Sequence, residues 1–209
     1  MPKVTQEHIE KRRAEILDAA ERVFKRKGFE PTTMQDVVEE SGMSRGGVYQ
    51  YFSSTEDMVQ AIHERIIKTL PDYIEEWLAD NETVWGAIEA YLSDYETPEG
   101  QEMETGFGII MFEYSVTAWR NEKHRQFMLK NALEAQKHLV SMLQTGVDRG
   151  EFHPLQPLDV IVSFIVNVTD GLILHSAIAN QDNFYLNEQV KALKIYLRTV
   201  LQVQEQSET

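Results

Sequence analysis

Four side chains close together, Arg45, Tyr49, Gln50 and Tyr51, have the chemistry needed to read a nucleic-acid surface. An arginine can donate two parallel hydrogen bonds to a guanine edge, and a glutamine can bond an adenine edge. Tyrosine hydroxyls reach phosphate oxygens, contacts that orient a protein on a duplex without specifying sequence. To act together, these groups need a short helix that shows them on one side. Ser44 stands at its N-cap position, and Val48 and Phe52, four residues apart, form its apolar side. Upstream, Thr33 is an N-cap with Asp36 in the first turn, Val37 and Val38 are apolar positions, and Gly42 is a helix stop. Two capped helices around a glycine turn of three to four residues describe a helix-turn-helix, whose second helix enters the DNA major groove. Spacing alone leaves a helical hairpin used only for packing equally open.

The wording of the stretch separates the two. From Thr32 to Phe52, together with the helix before it and Phe-Ser-Ser-Thr-Glu-Asp-Met after it, the chain resembles the N-terminal domain of the tetracycline-repressor (TetR) family. The matching positions are Thr32, Thr33, Asp36, Val37, Gly42, Ser44, Arg45, Gly46, Val48, Tyr49, Phe52, Ser53, Glu56 and Met58. The resemblance implies a three-helix DNA-binding domain over residues 1–52, with Thr33, Ser44, Arg45, Gly46, Tyr49, Gln50 and Tyr51 at the DNA. Residues 53–209 would then form a helical ligand-binding and dimerisation domain. The chain departs from the family where Thr55 replaces a lysine that commonly contacts phosphate, and where Val38 and Ser41 replace alanines. Gly46 and Gly47 also weaken the recognition helix, each costing roughly 1 kcal/mol relative to alanine.

Bulk properties limit the alternatives. The chain has 209 residues, 42% hydrophobic and 10% aromatic, enough for a packed core. There is no cysteine, which removes disulfides, thiolate metal sites and cysteine nucleophiles together. The opening residues are polar and charged rather than a signal peptide, and Leu158 to Ile178 is interrupted by Asp159, Asn167, Asp170 and His175. A soluble cytoplasmic protein is expected. The net charge of −14 opposes nucleic-acid binding at first sight, but residues 1–60 hold 9 Lys/Arg against 11 Asp/Glu and the rest 11 against 23. Lys11, Arg12 and Arg13, and then Arg22, Lys25, Arg26 and Lys27, are two basic clusters in the first predicted helix, placed to lie near phosphates.

Periodicity reads as helix throughout, and no alternation is long enough for a sheet. Helices are expected over 5–27, from Ser54 through Trp77 with a kink or break at Pro71, over Asn81 to Glu96, Gly106 to Trp119, Asn121 to Arg149, Leu158 to Asn180 and Leu186 to Gln204. Thr97 to Thr105, with Pro98 and Gly100, reads as a loop. The fold class is all-α.

Catalytic and metal chemistry find no support. Phosphate loops and nucleophile elbows are absent, and His63-Glu64 lacks the second histidine of a metalloprotease because Ile67 stands in its place. No catalytic residue, metal ligand or cofactor is assigned. Leu158 to Ile178 is apolar nearly all round, so it must be covered on more than one side. The stripe Val190, Leu193, Leu197 and Val200 on the last helix offers a dimer interface, which is how the resembling family pairs. Within the apolar helix, Asn167 and Asp170 share a face. They are either core hydrogen-bonding groups or, with Phe107, Met111 and Glu113, the contacts of a small apolar effector. The expected protein is a homodimeric regulator, more a repressor than an activator, that binds palindromic operator DNA and answers to such an effector. The rival is a ligand-binding or adaptor protein that does not read DNA.

Overall fold

The computed structural model describes residues 5–178 and 185–204, with the side chains of 98–105 and 118 left aside. All regular structure among these residues is helical: α1 (Gln6–Lys27), α2 (Met34–Ser41), α3 (Arg45–Tyr49), α4 (Thr55–Ala79), α5 (Val84–Asp94), α6 (Pro98–Ala118), α7 (Glu122–Asp148), α8 (Leu158–Ile178) and α9 (Leu186–Val200). They form two compact units. The first holds residues 1–66 and 109–125, the second 67–108 and 126–204 of the described chain. The unit that contains the helix-turn-helix is therefore larger than residues 1–52, since it takes in most of the first half of α4 and the end of α6.

In the first unit the stripe of α1 (Ile16, Leu17, Ala20, Val23, Phe24) is buried, as are Val37 of α2, Val48 and Phe52 around α3, and Met58, Val59 and Ile62 of α4. Gly28 ends α1 at φ 84° and ψ 169°, a positive-φ conformation that glycine adopts without a steric penalty. Its amide donates to the Phe24 carbonyl. The next two amides, of Phe29 and Glu30, donate to one carboxylate oxygen of Glu113 at 2.6 and 3.4 Å. Glu113 was expected at an effector. It instead satisfies the backbone of the α1–α2 turn from 84 residues away, and no local pattern reports such a bond.

The second unit packs α5, α7, α8 and α9 around Trp85, Ile88, Leu92, Met142, Leu143, Phe152, Ile161 and Leu172. Gly150 closes α7 at φ 75°, and the Glu151 carboxylate turns back to accept from the Val84 and Trp85 amides at the start of α5. An added Cβ at Gly146 would lie 2.3 Å from the Phe152 ring, so this helix position needs glycine for packing rather than for backbone freedom.

Three expectations are corrected here. Thr97 to Thr105 is not a loop, because α6 starts at Pro98; proline suits the first helical position, where its missing N–H would have no partner anyway. Of the kink or break expected at Pro71, the break is not found, since α4 passes it without ending. Val190, Leu193, Leu197 and Val200 are all buried in the core of their own subunit, so they are not available to a partner. That stripe closes α9 onto its own unit. The predicted end of α8 at Asn180 lies outside the described residues.

α8 is long and apolar enough to cross a membrane by length and composition. Ile161, Val162, Thr169 and Leu172 are nonetheless buried in the core of the second unit, while Val160, Phe164, Asn167 and Asp170 lie exposed on the other side.

His63 of α4 supplies a stability test. Burial lowers its pKa from 6.5 to about 4, so the folded state holds it neutral while the unfolded chain takes up a proton first. Folded-state stability is then full above pH 6.5 and falls as pH drops towards 4. The expected loss is roughly 3 kcal/mol, and it should be absent in His63→Gln when urea midpoints are compared across that window.

Candidate nucleic-acid interface

The helix-turn-helix is built from reciprocal caps. The Thr33 hydroxyl accepts from the Asp36 amide at 3.3 Å, and the Asp36 carboxylate accepts from the Thr33 amide at 2.9 Å and from its hydroxyl at 2.8 Å. Lys27 Nζ reaches the other Asp36 oxygen at 2.7 Å. These bonds, led by Lys27, lower the Asp36 pKa to about 2. Thr33, expected at DNA, is thus committed first to capping α2. Gly42 takes the left-handed conformation (φ 65°), and Ser44 caps α3 by accepting from the Gly47 amide at 3.1 Å. The Ser44 hydroxyl proton remains available to a phosphate oxygen.

α3 has only five residues, and its orientation comes from what it buries. Val48 is fully enclosed and Phe52 nearly so. On the opposite side Arg45, Gly46, Tyr49 and Gln50 are exposed and Tyr51 is half-buried. The Arg45 guanidinium lies over the Tyr49 ring, 5.2 Å from its centroid. Tyr51 and Gln50 share a shallow groove with His8, Ile9 and Arg12 of α1 and with Met43 and Ser44. The structure brings six of the seven expected DNA residues together around α3, while Thr33 stands at the start of α2.

The basic clusters of α1 behave differently from each other. Arg22 and Arg26 both pair with Glu40 of α2, at 2.8 and 3.1 Å, and hold its carboxyl below the usual range. Lys25 pairs with Glu21, Lys27 with Asp36, and Arg65 of α4 joins Asp18 and Glu21 of α1. Arg22, Arg26 and Lys27 thus tie α1 to α2, and Lys25 is paired within α1. In the other cluster Arg12 pairs with Glu15 and Arg13 sits over the Phe52 ring. Arg45 has no carboxylate partner among the described residues. Periodicity could place these cations on a face, but it could not show which acids from α2 would meet them.

The expected effector residues are distributed over both units. Phe107 falls in the second unit and Met111 and Glu113 in the first. Asn167 and Asp170 face outwards from α8, so Asp170 is not a core hydrogen-bonding group; its apolar surroundings raise its carboxyl above the usual range. A cavity of about 170 Å³ lies instead within the second unit. Leu70 and Trp77 of α4, Tyr91 of α5, Leu139 and Met142 of α7 and Thr169 of α8 contribute to its walls. None of the expected residues lines it. A search for clustered large apolar residues at helical spacing, rather than for polar groups on an apolar helix, is the signal that would have found it.

Comparison with known proteins agrees with this architecture. Residues 16–62 match the family model for bacterial regulatory proteins of the tetR family, and residues 87–187 match a tetracyclin repressor-like C-terminal domain. The chain is 47% identical over 208 residues to the HTH-type transcriptional regulator YfiR of Bacillus subtilis, covering 98% of each. It is 28% identical over 171 residues to the HTH-type transcriptional repressor KstR2 of Mycolicibacterium smegmatis, covering 76% of each. A TetR-family transcriptional regulator from Cytophaga hutchinsonii has the same fold, with a TM-score of 0.75 at 18% identity over 97% of this chain and 100% of that one.

Gly46 gives a test of the interface. A Cβ added there meets nothing within 4 Å, so the subunit's own packing does not demand glycine. Gly46→Ala should stabilise the free protein, by up to about 1 kcal/mol from helix propensity. If the backbone at this point approaches DNA closely, the same change should weaken operator binding at least about tenfold, since no compensating contact is gained. Thermal melts and gel-shift titrations of one preparation would separate the two effects, and unchanged DNA affinity would remove Gly46 from the interface.

Proposed function

We propose, on the premise that this chain belongs to the TetR family of bacterial transcriptional regulators, that it is a homodimeric repressor of palindromic operator DNA released by a small effector. One observation carries the DNA-reading part. α3 presents Arg45, Tyr49 and Gln50 outwards while Val48 and Phe52 lock its other side into the core. An adaptor that used the hairpin only for packing would have no need for that exposed constellation. The activity is binding rather than catalysis, and the site of action is the cytoplasm, where the DNA is.

A single short helix reads few base pairs, whereas two held about 34–36 Å apart read a palindrome. The surface that supports pairing is the outer side of α8 and α9. There Val160, Phe164 and Ile195 are exposed, the last at 68%, with Asn167 and Asp170 among them. Phe164 packs on Tyr196 at 4.4 Å between ring centroids, so the two helices offer one continuous surface.

Transmission from effector to DNA is supported by the position of Pro71. Its ring nitrogen has no proton, so the Ile67 carbonyl loses the donor that another residue would supply. The division between the compact units falls between Ile66 and Ile67, and Leu70 and Trp77 line the cavity. A molecule in the cavity therefore touches α4 beside its weakest link. It changes operator affinity only in so far as it binds one arrangement of α4 better than the other.

Selection of bound duplexes from a random pool tests the reading of DNA. Wild type should enrich a palindrome with half-sites about one helical turn apart. Arg45→Ala and Gln50→Ala should each cost about 1–3 kcal/mol and relax preference at one position per half-site. Enrichment of no sequence, or alanine variants that select like wild type, would defeat the proposal.

Pairing has its own test. Phe164→Glu alters an exposed residue, so the subunit should keep its helix content while sedimenting as a monomer and losing most operator affinity. Leu197→Glu places a charge in the subunit core and should unfold the protein instead. A wild type that is monomeric at micromolar concentration, or a Phe164→Glu variant that stays dimeric, would overturn this interface.

A further inference from the structure

The cavity of the second unit has a chemistry of its own, and its reading as an effector site rests on the preceding proposal. Every side chain that lines it among the described residues is uncharged. Its polar atoms are few. The Thr169 hydroxyl already donates to the carbonyls one turn back, at 3.1 Å from those of Ile165 and Val166. Tyr91 and Tyr95 join their hydroxyls at 2.9 Å. Asp170, the next residue along, lies on the exposed side of α8, because successive residues point about 100° apart around a helix.

A carboxylate or ammonium group in such a space would be desolvated without a counter-charge, at a cost far above what a few methylene contacts return. A cation could in principle be met by aromatic faces. Trp77 and Tyr91, however, are packed against each other, 5.1 Å between centroids and tilted by 36°, so they form one wall rather than a cage. Aromatic faces from Trp77 and Tyr91 among the aliphatic side chains of Leu139, Met142 and Ile165 suit a ring more than an extended chain. Size points the same way. The volume is about 170 Å³, and an apolar protein cavity of about 150 Å³ stays dry and accepts benzene.

We propose that this cavity takes a small uncharged ring compound, of the size of one substituted ring, and excludes ligands that carry a formal charge. The inference concerns charge and shape, which the walls determine, and it is separable from whether filling the cavity alters DNA binding.

The test uses the full-length protein with methionine methyl groups labelled for NMR, the Met142 signal being assigned by its loss in Met142→Leu. Four probes are titrated: propylbenzene, 3-phenylpropanoate, phenyltrimethylammonium and 1-octanol. Propylbenzene should shift the Met142 methyl saturably, with an affinity more than about tenfold above that of either charged probe, as the cost of burying an unpaired charge requires. Leu139→Phe, which fills part of the space with an apolar group, should weaken propylbenzene binding, and helix content would verify that this variant is folded. Equal or tighter binding of a charged probe, preference for 1-octanol over the ring, or no shift with any probe would overturn the proposal on wild type alone. Operator affinity measured in parallel keeps the two readings apart. An unchanged affinity with the cavity filled would overturn the effector reading and leave the assignment of the cavity standing.

Discussion

A helix of five residues with two glycines cannot hold itself together in water, because too few hydrogen bonds offset the cost of fixing the first turn. α3 therefore exists as a consequence of what surrounds it. Ser44 caps its start, and Val48 and Phe52 anchor it in a core made by α1, α2 and α4. The exposed groups Arg45, Tyr49 and Gln50 are displayed only as well as that core is ordered. This dependence explains why the unit includes pieces of α4 and α6 that lie well beyond the helix-turn-helix in sequence.

The same dependence makes sense of the charges. In the first unit, carboxylates and cations from different helices are matched: Glu40 with two arginines of α1, Asp36 with Lys27, and Arg65 with Asp18 and Glu21. Exposed pairs of this kind each add little stability. As a set they fix how α1 meets α2 and α4, and they leave Arg45 of α3 without a carboxylate partner among the described residues. An acidic chain can in this way present a locally suitable surface to DNA, since fields are screened over about 8 Å at physiological salt.

In the second unit one helix, α8, has two apolar sides with different roles. Its inner side, with Ile161, Val162 and Leu172, closes the core and borders the cavity; its outer side, with Val160 and Phe164, is left exposed. α9 contributes its whole regular stripe to the core, which leaves Ile195 as its main outward apolar residue. The strongest amphipathic pattern in the chain is thus spent inside the subunit, and the surface suited to a partner belongs to a helix whose pattern is much less one-sided.

The sequence by itself determined the features that depend on near neighbours. Helical periodicity, the caps at Thr33 and Ser44, and the positive-φ glycines at 28, 42 and 150 act within one turn, so the all-α class, most helix positions and the helix-turn-helix were legible, and the wording of residues 32–58 was enough to indicate the family. Some local signals were ambiguous even so: Pro98 and Gly100 suggested a loop, yet a proline also opens a helix. Only the tertiary structure decided which helix each face meets. A stripe such as Val190, Leu193, Leu197 and Val200 reports that it must be covered, not whether its own subunit or a second copy covers it. Glu113 bonds a turn 84 residues away, Arg22, Arg26 and Lys27 of α1 find their acids on α2, Arg65 of α4 finds its acids on α1, and the cavity is lined from five helices. Such pairings join residues far apart in the chain and leave no mark in local spacing.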